Sequence, residues 1–181
     1  MKEKKSAQGG SALGGKVAII SDVHNNIVNL KKVLNYCQEN DIKTIICCGD
    51  LASKETLDFL NDNFDGVIYH TFGNMDDDYL TNYDFGSQYR NTQVYKNCGE
   101  ADIDGQKIAF VHYPETARHL CQTGNYKFVF FGHTHKPWEE NIDQHKILNP
   151  GNVAGEIFPP TFAVWDTKNN KIKLIRINDL K

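Results

Sequence analysis

Within roughly its first eighty residues the chain three times repeats one unit: a short apolar run stops and is followed at once by small or polar residues of metal-binding type. Val17-Ala18-Ile19-Ile20 gives way to Ser21-Asp22-Val23-His24-Asn25-Asn26, Thr44 to Cys48 gives way to Gly49-Asp50, and Val67 to Phe72 gives way to Gly73-Asn74-Met75-Asp76. Apolar runs without alternation belong to strands covered on both faces. Between the first two runs Ile27, Leu30, Val33, Leu34 and Cys37 recur at helical spacing, with Asn26 placed as an N-cap. A shorter amphipathic segment around Glu55 to Leu60 separates the second run from the third. Strand, helix and strand in alternation predict a parallel β-α-β arrangement, which brings the carboxyl ends of its strands to one edge.

The character of the chain changes after this half. Ala101 to Ile103 and Lys107 to Val111 flank Asp104-Gly105, a hairpin signal, and the second of these strands runs into His112. Pro114 suits the first turn of a helix through Cys121. The run Phe128-Val129-Phe130-Phe131 then ends in Gly132-His133-Thr134-His135. Residues i and i+2 of an extended segment project to one side, so His133 shares a face with His135, and Asp22 with His24. Beyond it, Trp138 to Ile142, Lys146 to Leu148, Phe162 to Asp166 and Lys171 to Ile177 read as antiparallel strands, with turns at Asp143-Gln144 and Asn169-Asn170. Phe128, Phe130, Phe131 and Trp165 are expected in the core. Met1 to Gly15, rich in Lys, Ser and Gly, reads as a flexible tail, which leaves one domain from residue 16 to residue 181.

Charge and composition exclude several classes of function. A net charge of −3 with scattered Lys and Arg gives no basic face, so stable nucleic-acid binding is not expected. No apolar stretch reaches the ~18 residues of a membrane span. Five cysteines, an odd number with no C-x-x-C spacing, point to a reduced, cytoplasmic chain.

Five strand ends thus deliver Asp22, His24, Asp50, Asn74, His112, His133 and His135. Gly49, Gly73 and Gly132 precede them where a sharp exit from the sheet calls for unusual φ values. Seven nitrogen and oxygen donors exceed what one tetrahedral zinc needs, and a set without thiolate suits Mn, Fe, Zn, Co or Ni. Two divalent metal ions sharing one carboxylate is the economical arrangement. His70, His119 and His145 read as surface or strand residues, and Asp76, Asp77 and Asp78 as a solvated helix start.

The ordered series D-x-H, G-D, G-N-x-D, H and G-H-x-H resembles the calcineurin-like metallophosphoesterase superfamily over Lys16 to Ile177. The short length and Asn149-Pro150-Gly151 after the last motif are most similar to the small single-domain YfcE-type phosphodiesterases. The resemblance implies an α/β fold, a four-layer α-β-β-α sandwich of two mixed β-sheets flanked by helices. It implies one metal held by Asp22, His24, Asp50 and His135 and a second held by Asp50, Asn74, His112 and His133, manganese being favoured. A metal-bridging hydroxide would hydrolyse a small phosphate ester, with Asp50 and Asn74 as catalytic residues and Asn74 and Tyr113 touching substrate. Asp76 matches the family's acidic position, which would orient Asn74; Arg118 is not counted among the substrate contacts.

The chain also departs from the pattern. Met75 stands where many members carry a leaving-group histidine, Asn25-Asn26 replaces Gly-Asn, and Tyr113-Pro114 follows His112 where small relatives often have Gly-His. The other readings are a catalytically silent scaffold of the same fold, against which His24 and Asn74 are both present, and a metal-dependent nuclease. A homo-oligomeric state is left open.

Overall fold

The computed structural model describes residues 15–76 and 89–181. Nearly all of the expected tail (residues 1–14), and Asp77 and Asp78 of the expected helix start, lie outside the described residues.

A six-stranded sheet has the order β11-β10-β1-β2-β3-β4, formed by Lys171–Arg176, Thr161–Asp166, Lys16–Ile20, Thr44–Cys47, Val67–Thr71 and Thr92–Tyr95. In it β1 to β4 run parallel, while β10 lies antiparallel to β1 and to β11. The five-stranded sheet has the order β5-β6-β7-β9-β8, formed by Cys98–Ile103, Gln106–Val111, Phe128–Phe130, His145–Asn149 and Trp138–Ile142. Its centre, β6-β7-β9, is parallel and its two edge strands are antiparallel. Both sheets are therefore mixed.

Alternation along β1 decides the layers. Val17 and Ile19 pack with Ile46, Phe110, Phe128, Phe130 and Trp165 between the two sheets. Ala18 and Ile20 face the opposite way, into a core with Leu30, Val33, Leu57 and Leu60 from α1 (Ile27–Glu39) and α2 (Lys54–Asp62). On the far side Ala117 and Cys121 of α3 (Pro114–Gln122) cover Ala109, Val111 and Val129. The result is the four-layer sandwich. Burying one Ile or Leu side chain contributes about 1.5–3 kcal/mol, so these three clusters supply the driving force for stacking the layers. Asn26 caps α1 by accepting the Asn29 N–H, Ser53 caps α2, and Pro114 opens α3, as local propensity requires.

The last four strands form two antiparallel hairpins, as read from their turns, but these go to different sheets: the second strand of the β8–β9 hairpin joins β7 in parallel, and the β10–β11 hairpin returns to the other sheet beside β1. Hairpin signals fix a local turn and carry no information about the sheet that receives it. Strand β4, Thr92–Tyr95, is a further element, half exposed and with no apolar run to announce it.

Candidate metal centre

The carboxyl ends of β1, β2, β3, β6 and β7 converge at one end of the sandwich. There the chain leaves the sheets under strain: Asp22, His24, Asp50, His133 and His135 all have left-handed backbone, with φ of 54°, 45°, 57°, 70° and 59°. Such conformations are uncommon for residues other than glycine and persist where surrounding structure enforces them. For Asp22, His24 and Asp50 a ladder does so, in which Asp22 N–H donates to Gly49 O (3.1 Å), Val23 and His24 N–H to Asp50 O (2.8 and 3.1 Å), and Asn25 N–H to Leu51 O (3.2 Å). The expected role of the glycines holds only at Gly49 (φ 99°). At Gly73 and Gly132 φ is not positive, and a Cβ would instead overlap Asp50 Oδ1 and Ser21 Oγ.

All seven donors meet in two adjoining groups. In the first, His24 Nε2 lies 3.1 Å from His135 Nε2, His135 Nε2 lies 3.4 Å from Asp22 Oδ1, and His24 Nε2 lies 3.9 Å from the same oxygen. In the second, Asn74 Oδ1 lies 3.0 Å from both His112 Nε2 and His133 Nδ1, which are 3.2 Å apart. Asp50 Oδ2 stands between the groups, 3.8 Å from His24 Nε2 and 3.4 Å from His112 Nε2.

Proton counting shows what such a cluster can hold. His112 Nδ1 faces the Cys48 carbonyl at 2.9 Å and His135 Nδ1 faces the Glu156 carbonyl at 3.3 Å. Each must donate there, which leaves Nε2 of each neutral ring as a bare lone pair aimed inward. Two carboxylates and the Asn74 carbonyl oxygen point at the same space, so lone pairs outnumber the protons available to separate them. A donor set of this kind fits divalent cations. The fields act accordingly: burial works to raise the Asp50 carboxyl, but His112, the Met75 N–H and His24 together outweigh it and hold it below the usual range. Burial opposes charge on His112, yet Asp50 and Asp22 raise it. His135 is raised, first by its hydrogen bond to Asp22.

Asp76 is not the solvated helix start expected. It is fully buried, and its carboxylate accepts three backbone N–H bonds, with Asp50 N (2.9 Å) and Gly73 N (2.8 Å) on Oδ2 and Ala52 N (2.7 Å) on Oδ1. It thus fixes the Asp50 loop to the end of β3. His70 lies in β3 with no exposed surface, and among the described residues neither ring nitrogen finds a hydrogen-bond partner of ordinary geometry. Burial pushes it down to about 4 against the pull of Asp76 and Asp50. His119 is exposed and His145 half-buried.

Asn149 and Asn152 are structural supports with no role foreseen from the sequence. Asn149 Nδ2 donates to Gly132 O (2.8 Å) and Thr134 Oγ1 (3.1 Å), and Asn152 Nδ2 donates to His135 O (3.1 Å). Asn152 Oδ1 also accepts the Glu156 N–H at 3.0 Å, so one amide holds both His135 and the carbonyl that orients it. The signal available was the run Asn149-Pro150-Gly151-Asn152, a turn cluster immediately after an apolar strand. Tyr113 sits at the mouth, its ring 5.1 Å from those of His112 and His133. The Met75 side chain is half exposed, while its N–H donates to Asp50 Oδ1 at 2.8 Å.

Comparison with known proteins agrees with this geometry. The family model of the calcineurin-like phosphoesterase superfamily domain matches residues 16–170. Phosphodiesterase MJ0936 of Methanocaldococcus jannaschii is 26% identical over 163 residues, which cover 88% of this chain and 98% of that protein. Among solved structures, a novel archaeal phosphodiesterase superposes with a TM-score of 0.76 at 25% identity, covering 89% of this chain and 99% of the other. The fold is shared with Vacuolar Protein Sorting 29 of Cryptosporidium parvum (TM-score 0.64, 19% identity, 90% and 97% coverage). It is shared equally with the phosphoesterase YfcE of E. coli (TM-score 0.62, 18% identity, 90% and 100% coverage).

Proposed function

This chain belongs to the calcineurin-like phosphoesterase superfamily, and from that premise we propose that it is a phosphodiesterase working with two divalent metal ions, manganese foremost. Asp22, His24, Asp50 and His135 would hold one ion, and Asp50, Asn74, His112 and His133 the other. The observation that carries this reading is the position of Asp50 Oδ2, within 4 Å of an imidazole nitrogen in each group. When bound, the pair would activate water and neutralise phosphate oxygens.

The chain's own residues do the remaining work. Asp50 is kept ionised by the Met75 N–H and the neighbouring imidazoles, so it is ready to be shared between two cations at neutral pH. Asn74 offers Oδ1 to the second group, and its Nδ2 would donate to a phosphate oxygen. Tyr113, at the mouth beside His133, would flank the ester. Met75 has a thioether where a proton donor would help a departing alkoxide, and general acid assistance is worth roughly 10²–10⁴ in rate. Diesters, which carry less charge, and esters with good leaving groups suit such a site better than alkyl monoesters. No helix among the described residues is long and apolar enough to cross a membrane. Free cysteines, four of them buried, suit a reducing cytoplasmic setting.

Hydrolysis of bis(p-nitrophenyl) phosphate, with Mn²⁺ and after exhaustive chelation, is the direct test. Turnover that requires the metal and is lost in Asp50→Asn is the expected result. A fully loaded protein with no turnover would turn the reading to a silent scaffold, and cleavage of single-stranded DNA in preference to small diesters would turn it to a nuclease.

A further inference from the structure

Beside the donor cluster lies a cleft of about 320 Å³ that the chemistry above does not use, lined by Pro114, Arg118, Phe131, Thr134, Trp138 and Phe158 with Lys136 at its edge. Thr134 stands between His133 and His135 in sequence, Pro114 follows Tyr113, and Phe158 lies two residues after Glu156, whose carbonyl faces His135, so the lining is made of chain neighbours of the donor cluster. Its walls are almost wholly carbon. Trp138 and Phe131 meet edge to face at 6.2 Å and 74°, and the Arg118 guanidinium lies 5.7 Å from the Trp138 ring. The Thr134 hydroxyl is engaged by Asn149. Of the two cationic side chains that line it, Arg118 already lies 3.4 Å from Glu140 Oε2, and Lys136 is a hydrogen-bond donor only.

One side of the cleft is a loop under strain. Ile157, adjoining Phe158, has φ of 65° and is 84% exposed. A β-branched residue in left-handed backbone is strained, and such strain tends to cluster near ligand sites. The same loop supplies the Glu156 carbonyl that orients His135, so it joins the rim of the cleft to the metal centre.

We infer that this cleft receives a planar heteroaromatic group of the substrate, of nucleobase type, while the attached phosphate sits at the donor cluster; the inference rests on the phosphoesterase reading. Flat walls and two crossed rings favour stacking over an alkyl chain. An acceptor nitrogen at the ring edge would meet Lys136, a donor that a purely hydrocarbon group could not use. The volume is at the lower end for ligand pockets, which run from about 300 to 1,000 Å³, so one ring system fills it.

The test is calorimetric titration of the Mn²⁺-loaded protein with adenosine monophosphate and, in parallel, ribose 5-phosphate, which carries the same phosphate and lacks the base. The nucleotide should bind roughly tenfold or more tightly, as expected for one base stacked on an aromatic side chain. That advantage should fall in Trp138→Ala and independently in Phe158→Ala. Equal affinity for the two probes, or an advantage unmoved by both substitutions, would overturn the assignment. Turnover of bis(p-nitrophenyl) phosphate is read on the same samples. Turnover without base discrimination removes the cleft alone, whereas discrimination without turnover supports the cleft and removes the phosphoesterase reading.

Discussion

The two sheets give the site different things. From the six-stranded sheet come both carboxylates and an amide, Asp22, Asp50 and Asn74, with His24 as its one imidazole. From the five-stranded sheet come His112, His133 and His135 alone. One half supplies negative charge that is costly to bury, and the other supplies rings that are neutral when ready to bind. Each half is nevertheless held by the other. Asp22 accepts the His133 backbone N–H (3.1 Å), and His112 donates to the Cys48 carbonyl (2.9 Å). The two donor sets face each other only once the sheets stack, so the site is a property of the interface between layers rather than of either sheet.

The sharpest break in this comparison is Asp50→Asn, which removes charge from the carboxylate half and leaves every imidazole in place. Turnover should fall by roughly 10³-fold or more, and elemental analysis should find fewer than two ions per chain with an unchanged circular dichroism spectrum. Two retained ions with full activity would refute the shared carboxylate.

His70 measures what burial costs on the same side. Because its folded value is lowered to about 4, its neutral form contributes fully above its ordinary value near 6.5, and that contribution is lost as pH falls from about 6.5 toward 4. The loss is on the order of 3 kcal/mol. Denaturant unfolding of metal-free protein at pH 7 and pH 4.5 should show it, and His70→Phe should flatten that part of the profile. Equal acid sensitivity in both proteins would place the loss elsewhere.

A smaller, matched pair of effects sharpens the contrast. Asp76→Ala strands three N–H groups behind the carboxylate half, and Asn149→Ala removes the brace behind the imidazole half. Removing groups that orient ligands typically costs about 10–100-fold in metal affinity or activity, and we expect Asp76→Ala near the upper end, with a lowered melting temperature, and Asn149→Ala near the lower. Competition with a chromophoric chelator reads the affinity. The smallest effect expected is at the mouth: Met75→His should raise turnover of an alkyl monophosphate by up to about tenfold, short of the full effect of an evolved general acid. A wild type that already prefers the alkyl monoester would show that another group delivers the proton.

These contrasts also explain what the sequence disclosed. Asp22, Asp50 and His133 were legible because each interrupts an apolar run, and a donor at the end of a buried strand has little other reason to be there. Asp76 was misread because an acid that begins an acidic run looks solvated, and only the fold shows three N–H groups aimed at it. The left-handed backbone of the donors was invisible for a related reason: residue type announces such angles at glycine, whereas here the inter-loop ladder imposes them on Asp and His. The two terminal hairpins were found as hairpins, but their allotment to different sheets depends on which open edge the core leaves.

That allotment has a consequence for how the protein is made. Strand β1 pairs on one side with β2 within about thirty residues, yet on its other side Val17 faces Trp165 and Ala18 faces Val164. While a ribosome is still building the middle of the chain, this apolar strand has an open edge that nothing yet synthesised can close. Contacts so distant in sequence slow folding and lengthen exposure of unpaired strand edges. An arrest or nick between residues 135 and 161 would therefore leave a fragment already holding Asp22, His24, Asp50, Asn74, His112, His133 and His135, with β1 free to pair with another copy of itself.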